Sequence, residues 1–568
     1  MLTLIENLRD LGIFSDIDVH FAKFMATLSE SADDALLLGA VLASHFTGLG
    51  SSCVDLKALA AQSFPPLPEP GMDTLPCPSL SQWQEALFNC RVVGQPGDYT
   101  PLVLDKHRLY LYRYWDYEQQ LAAQIRARCA MQRTDINHDT LKEGLLRLFP
   151  SQDQRLAALA AVLRHFCIIS GGPGTGKTST IVKILTLLLE QNPNFNIALA
   201  APTGKAAARL QEAITLALHD LNCAPTIKAA IPQETYTIHR LLGSLPNSPY
   251  FISHAGNLLP YDVVVIDEAS MVDLALMAKL AQAIPKSARW ILLGDKDQLA
   301  SVEAGTVLGD ICEAGIEESI VLLDKSYRFG EDSGIWTLAQ AVKQGQSEKA
   351  LRILKSDKYP DVNWHHLSLS EELPAVLIEQ ILSDFSRCLK ERQPAKVLQL
   401  FNKNIILCAL RRGPYGVEAI NRKIENEYRR KGLIRGYSRW YHGRPIMITR
   451  NDYRLQLFNG DIGIILRSGY ELQAFFPDQA EQVRTFWPNR LPDHETVYAM
   501  TIHKSQGSEF DNVLILLPEQ FSPVLSRELI YTAMTRARQS VSVWGNEQVF
   551  MQAVSQKISR SSGLRDQL

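Results

Sequence analysis

Apolar positions along the chain follow two regimes. Up to about residue 165 they recur mainly at helical spacing, interrupted by the run SFPPLPEPGMDTLPCPSL at 63–80, whose prolines break any helix. That run reads as a linker or long loop within or beside an N-terminal module. From Phe166 the texture changes to short apolar runs, FCIIS (166–170), IALAA (197–201), VVVID (263–267) and WILLGD (290–295), separated by helical stretches and polar loops. Strands alternating with helices predict a parallel sheet wrapped by helices. A second set, NIILCAL (404–410), VLILL (513–517) and VSVWG (541–545), predicts a second α/β domain in series. Between these runs, residues 433–497 carry β-like stretches (PIMIT, DIGIIL, LQAFF) and the turn signal Asn459-Gly460, which suits a small β-barrel inserted into the second domain.

Composition bounds this picture. A chain of 568 residues, 46% hydrophobic and 21% charged, is globular and long enough for three or four domains. The first ten residues hold Glu6 and Asp10 and no basic leader pattern, and no uncharged apolar run approaches the roughly 18 residues of a membrane span. A soluble protein with no membrane association is expected. Nine cysteines without a C-x-x-C pair suit reduced thiols, hence a cytoplasmic location.

Net charge is −3, which by itself argues against a dedicated basic nucleic-acid binder. Its distribution is uneven. Residues 1–100 hold 4 Lys+Arg against 12 Asp+Glu, leaving +5 for the rest of the chain. Residues 401–450 hold 12 basic against 3 acidic side chains, interleaved with Tyr415, Tyr428, Tyr437, Trp440 and Tyr441. This pattern fits either a surface that tracks a nucleic-acid backbone and stacks bases, or a solvated helix face around 422–431.

The chemistry begins at Gly171-Gly172-Pro173-Gly174-Thr175-Gly176-Lys177-Thr178, which follows a predicted strand and opens a predicted helix. This is a P-loop: glycines let backbone N–H groups close around phosphate, Lys177 reaches the β and γ phosphates, and Thr178 offers a hydroxyl to Mg2+. ATP and Mg2+ are the expected cofactors. Asp267-Glu268 ends the strand VVVID, placing one carboxylate in the magnesium shell and the next where it can take a proton from attacking water. Gln298, after the following strand, is a candidate γ-phosphate sensor. Arg328 in SYRF and Arg536 in TRAR are candidates to meet the γ-phosphate across a cleft between the α/β domains; alone, each would read as a surface ion pair. A finger on the second domain would couple hydrolysis to domain closure.

Gln154, GGPGTGKT, Ala201-Pro202-Thr203-Gly204-Lys205-Ala206-Ala207, Thr237-Ile238-His239-Arg240-Leu241-Leu242-Gly243, DEAS, GDKDQL, SYRFG and HKSQGSEF (503–510) occur in the order found in superfamily 1B helicases, and cover about 150–545. The wording of APTGKAAARL, GDKDQLASVEAG, KSYRFG and HKSQGSEFD, with the acidic N-terminal module, resembles the helicase subunit of bacterial exodeoxyribonuclease V complexes. The resemblance implies two RecA-like motor domains (116–330, then 331–432 with 498–568), an SH3-like insertion (433–497) and a mostly helical partner-docking domain (1–115). It implies that Gln154 contacts adenine, and that Thr203, Lys205, Thr237, His239, His503, Lys504 and Gln506 face the DNA backbone or couple it to the ATP site. It implies an ATP-dependent helicase moving 5′ to 3′ on single-stranded DNA at duplex ends. The partners it implies are RecB-like and RecC-like subunits in a heterotrimer for double-strand break repair and recombination. Outside the ATP site no carboxylate cluster has the spacing of a nuclease, and the resemblance implies that the cutting site lies on another subunit.

Two other readings stand beside this one. A self-sufficient superfamily 1B helicase on DNA or RNA would share the motifs, and copurification of two large partners separates it from a subunit. A scaffold with a dead P-loop would have no need of Lys177, Thr178, Asp267, Glu268, Arg328 and Arg536 together.

Overall fold

The computed structural model describes residues 1–568 apart from 31–32, 67–71, 132, 331, 368–374, 435–437 and 479–481. Tyr437 and the middle of the proline-rich run lie outside the described residues.

The N-terminal module opens with α1 (Leu2–Asp10), α2 (Asp16–Ser29) and α3 (Asp34–Gly48). A capping box starts α2: Ser15 Oγ accepts from the Asp18 N–H, and the Asp18 carboxylate accepts from the Ser15 N–H. The module also contains a sheet that helical spacing does not announce. Its strands β1 (Cys53–Asp55), β2 (Val93–Gly94), β3 (Leu102–Asp105) and β4 (Arg108–Leu111) lie in the order β1-β4-β3-β2. The proline-rich run is a loop of this module: Ser63–Phe64 pairs antiparallel with Leu75–Pro76, and Phe64, Leu75 and Cys77 are buried in its core. Strand β4 passes directly into α4 (Tyr112–Cys129), which straddles the 115/116 border expected between the first two domains.

The first α/β domain holds α5 (Gln152–Leu163), β5 (Phe166–Gly171), α6 (Lys177–Gln191), β6 (Ile197–Ala201), α7 (Gly204–His219), β7 (Tyr236–Thr237), β8 (Val263–Ile266), α8 (Leu274–Ala283), β9 (Arg289–Gly294) and β10 (Ile320–Leu323). The sheet is parallel throughout, in the order β10-β5-β9-β8-β6-β7. Strands β5, β6, β8 and β9 are buried along their whole length because helices cover both faces, which is why they read as unbroken apolar runs. Strands β5, β9 and β8 are neighbours, so Gly171, Asp295 and Asp267 emerge side by side at the carboxyl ends of the central strands, where open α/β sheets bind ligands.

The second α/β domain begins with α9 (Gly334–Lys343) and builds a parallel sheet from β11 (Val362–His366), β12 (Asn404–Cys408), β18 (Ala499–Thr501), β19 (Phe510–Leu516) and β20 (Ala537–Gly545) in the order β11-β20-β19-β12-β18. Helices α10 (Val417–Arg430), α11 (Arg527–Met534) and α12 (Glu547–Ser555) accompany it. Between β12 and β18 the insertion forms an antiparallel sheet in the order β16-β15-β14-β13-β17, from β13 (Arg444–Ile448), β14 (Ile462–Ser468), β15 (Glu471–Pro477), β16 (Val483–Phe486) and β17 (His494–Thr496). Ile446, Ile448, Leu457, Ile465, Ala474 and Phe476 fill its own small core. Among the described residues no pairing joins β16 to β17, so the ladder is an open sheet rather than a closed barrel.

After α12 the last residues do not stay with the second domain. They run back over the first and onto the N-terminal module: Arg560 donates to the Ser301 carbonyl, the Ser52 N–H donates to the Ser561 carbonyl, and Asp566 pairs with Arg108. The buried Glu118 carboxylate of α4 receives this strap, accepting from Ser52, Tyr110, Ser562 and the Gly563 N–H. All nine cysteines are free thiols. Among the described residues no helix is long and apolar enough to cross a membrane.

Candidate active site

The loop between β5 and α6 is the P-loop. Gly174 and Gly176 adopt φ of +78° and +77°, a region L side chains avoid, and a Cβ on Gly174 would lie 2.4 Å from the Cβ of Arg328. Lys177 begins α6 and its Nζ donates to the carbonyls of Gly171 (2.5 Å) and Gly172 (3.2 Å). Thr175 is buried, and its hydroxyl donates to the Gly172 carbonyl, holding the turn. Thr178 follows half-buried on the first turn of α6. Gln154 sits near the start of α5, buried, with its Nε2 3.5 Å from where a Cβ of Gly176 would stand.

Burial of Asp267 just past β8, with Glu268 beside it, pushes its carboxyl up to about 6; Lys177 opposes part of that rise. Glu268 holds φ of +52°, and its N–H donates to Asp267 Oδ1. A non-glycine residue held in that conformation turns the chain sharply into the short helix Ala269–Met271. Asp295 is also buried and raised, and its carboxylate accepts from Gln298 Nε2 at 3.0 Å.

Both α/β domains contribute to the site. Arg536 Nη2 donates to Gln298 Oε1 at 3.0 Å, and the same guanidinium donates to the carbonyls of Ser508 and Thr532. The Leu299 N–H donates to Thr532 Oγ1, and Gln506 Nε2 to the Leu299 carbonyl. Arg328 lies against the P-loop, where the Tyr327 N–H donates to the Gly174 carbonyl, and its Nη2 donates to Glu509 Oε1 at 2.7 Å. A small neighbouring hollow is lined by Gly171, Gly172, Asp295, Asp297, Trp336 and Tyr531 among others. It touches the P-loop only through its first glycines.

The residues expected to face DNA are divided by the fold. Thr203 and Thr237 are helix N-caps whose Oγ atoms accept from the N–H groups of Ala206 and Arg240, leaving each hydroxyl proton free to donate. Lys205 Nζ donates to the Gly460 carbonyl of the insertion, and burial lowers its pKa to about 8. Lys504 pairs with Glu495 on β17 at 2.7 Å. His239 stands edge-on to Phe251, His503 is half-buried near Arg560, and Gln506 is buried at the junction of the two domains. Of the described aromatics in the basic-aromatic stretch, Tyr415, Tyr428 and Tyr441 are buried core residues and not stacking platforms. Arg429 and Arg430 pair along α10 with Glu425 and Glu427, the solvated-helix alternative, while Trp440 stacks on His494 between Arg439 and Arg444.

Four site neighbours have no assignment from sequence. Tyr531 Oη donates to Asp295 at 3.1 Å, and nothing local distinguishes it from any core tyrosine. Tyr327 lies half-exposed beside Gly176. Glu509 and Arg209 belong to motif runs whose wording is distinctive, but nothing in either run marks the two as partners.

Residues 147–359 match the family described as AAA domain, residues 10–110 the RecBCD enzyme subunit RecD N-terminal domain, and residues 496–544 the UvrD-like helicase C-terminal domain. The chain is 39% identical over 564 residues to the RecBCD enzyme subunit RecD of Mycolicibacterium smegmatis, spanning 98% of each. It is 34% identical over 644 residues to that of Haemophilus influenzae, spanning 99% of each. Among solved structures it is similar to a Pif1 helicase from Candida albicans at 16% identity and TM-score 0.37, covering 70% of this chain and 95% of that one.

Proposed function

The chain belongs to the RecD family of RecBCD enzyme subunits, and from that premise we infer that it is the ATP-dependent helicase subunit that runs 5′ to 3′ along single-stranded DNA from a duplex end. Its partners are RecB-like and RecC-like subunits, with the acidic N-terminal module as the docking element and the open-sheet insertion as its SH3-like module. DNA cutting belongs to another subunit, and the complex serves double-strand break repair and recombination.

The contact between Gln298 and Arg536 carries this reading, because it joins the strand-end sensor of one domain to the arginine of the other. In the cycle Lys177 neutralises the β and γ phosphates, Gln154 reads adenine, and Glu268 takes the proton of the attacking water. Arg328 and Arg536 offset charge on the transferring phosphoryl group, a contribution on the order of 10³ to 10⁵ in rate. Each hydrolysis then loosens the bond between domains, and the alternation of closed and open cleft drives the strand past Thr203, Thr237 and the 503–506 loop.

The donor set fits a magnesium ion. Asp267 is buried beside a second carboxylate, and Lys177 with the more distant Arg209 offsets only part of that charge, leaving the carboxyl near 6. One carboxylate, the Thr178 hydroxyl and nucleotide phosphates are the ligands such an ion takes in P-loop proteins, where it draws charge from the β and γ oxygens.

The test is ATP-dependent unwinding by the purified chain of duplexes with a 5′ or a 3′ single-stranded tail, with Lys177→Gln as control. Unwinding from the 5′ tail alone is expected, and unwinding from the 3′ tail would overturn the polarity. DNA-stimulated hydrolysis without unwinding would mean that strand separation needs the partner subunits.

A further inference from the structure

Glu509 sits on the first turn of the chain leading to β19 and is the acceptor for three guanidinium groups. Its Oε1 takes Arg328 Nη2 at 2.7 Å, and its Oε2 takes Arg209 Nη2 at 2.5 Å and Arg538 Nε at 3.1 Å. These arginines come from three places. Arg328 rests on the P-loop, Arg209 is on α7 directly behind the Thr203 cap, and Arg538 is on β20. Arg209 also donates through Nη1 to the Gly507 carbonyl, so α7 is tied to the 506–509 loop twice.

We propose that Glu509 is a positioning residue that couples α7 to Arg328, so that a strand held at the N-terminal end of α7 and a nucleotide held at the P-loop bias one another. This rests on the reading of Arg328 as a γ-phosphate ligand. Three arginines around one carboxylate leave the cluster at +2, so it still attracts phosphate after Arg328 is fixed. Arg328 Nη1 is buried and has no hydrogen-bond partner among the described residues, whereas Nη2 is held. The guanidinium is thereby oriented by one nitrogen and available through the other, which is what preorganisation for an incoming anion requires. A carboxylate this well paired stays ionised: Arg209 and Arg328 hold Glu509 down to about 2 despite its burial. Because α7 is a sixteen-residue rigid element, a displacement at Thr203 moves Arg209, and through the shared carboxylate it changes the aim of Arg328.

The experiment measures the affinity of the full chain for a fluorescent non-hydrolysable ATP analogue with and without oligo(dT), in wild type, Glu509→Gln, Arg209→Met and the double variant. Wild type should show a coupling factor on the order of 5 or more. Each single variant should reduce that factor below about 2, and the double variant should reduce it no further, because both break the same link. A loss confined to thermal stability, with the factor kept in both single variants, overturns the proposal and leaves the motor reading intact. No DNA effect in wild type would instead remove the motor reading, and this proposal with it. Should Glu509→Gln fail to fold with its arginines uncompensated, Arg209→Met decides alone, since the Arg209 side chain is partly exposed and its loss leaves Glu509 paired with Arg328 and Arg538.

Discussion

Tyr531 on α11 donates its phenol proton to Asp295 at the end of β9, 3.1 Å away and across the junction of the two α/β domains. The acceptor is fully buried and is also bonded by Gln298 and by the Asp297 N–H, so one carboxylate holds Gln298 and the second domain at once. Tyr531→Phe removes one donor from a buried carboxylate, which costs about 1–3 kcal/mol. The urea midpoint should fall with an unchanged slope, and an unaltered midpoint would show that the bond contributes nothing to the closed junction.

Arg536 is buried with three acceptors, and burial lowers its pKa while nearby acids hold it charged. Arg536→Ala should bind nucleotide within a few-fold of wild type while single-turnover hydrolysis falls by about 10³ or more. Unchanged single-turnover hydrolysis would remove Arg536 from the site.

Among the described residues Lys177 bonds only to the carbonyls of its own loop, so replacing it leaves the core intact. Lys177→Gln should abolish hydrolysis with a circular-dichroism spectrum like that of wild type. Near-normal turnover in that variant would dismiss the P-loop assignment.

Glu118, the socket of the C-terminal strap, is pushed by burial from an ordinary 4.5 up to about 7, against the donors that favour its ionised form. A raised folded-state value means that its stabilising contribution is complete below about 4.5 and is lost as pH rises through 7. The swing amounts to about 3 kcal/mol. The melting temperature of wild type should therefore decline relative to Glu118→Gln between pH 5 and pH 8, because the amide does not titrate. Parallel melting curves over that range would show that Glu118 keeps one protonation state.

By itself the sequence determined whatever depends on a few adjacent residues. The glycines, Lys177 and Thr178 of the P-loop act within one turn, and Asp267 stands at a strand end that four consecutive apolar residues announce. The alternation of such strands with helices was enough for two parallel sheets in series, because a strand buried on both faces has an unmistakable composition. The sheet of the N-terminal module escaped because its strands are two to four residues long, too short for any period to register. The tyrosines at 415, 428 and 441 leave two readings open for a related reason: an aromatic among arginines has the same spelling whether it faces a base or the core. Tertiary structure alone decided the meetings of distant residues. Gln298 and Arg536 are 238 positions apart, and Glu509 gathers arginines from both domains. No local preference encodes such contacts; they arise when the packing of two sheets brings loop ends together, and burial then makes each unpaired charge costly enough to select one arrangement.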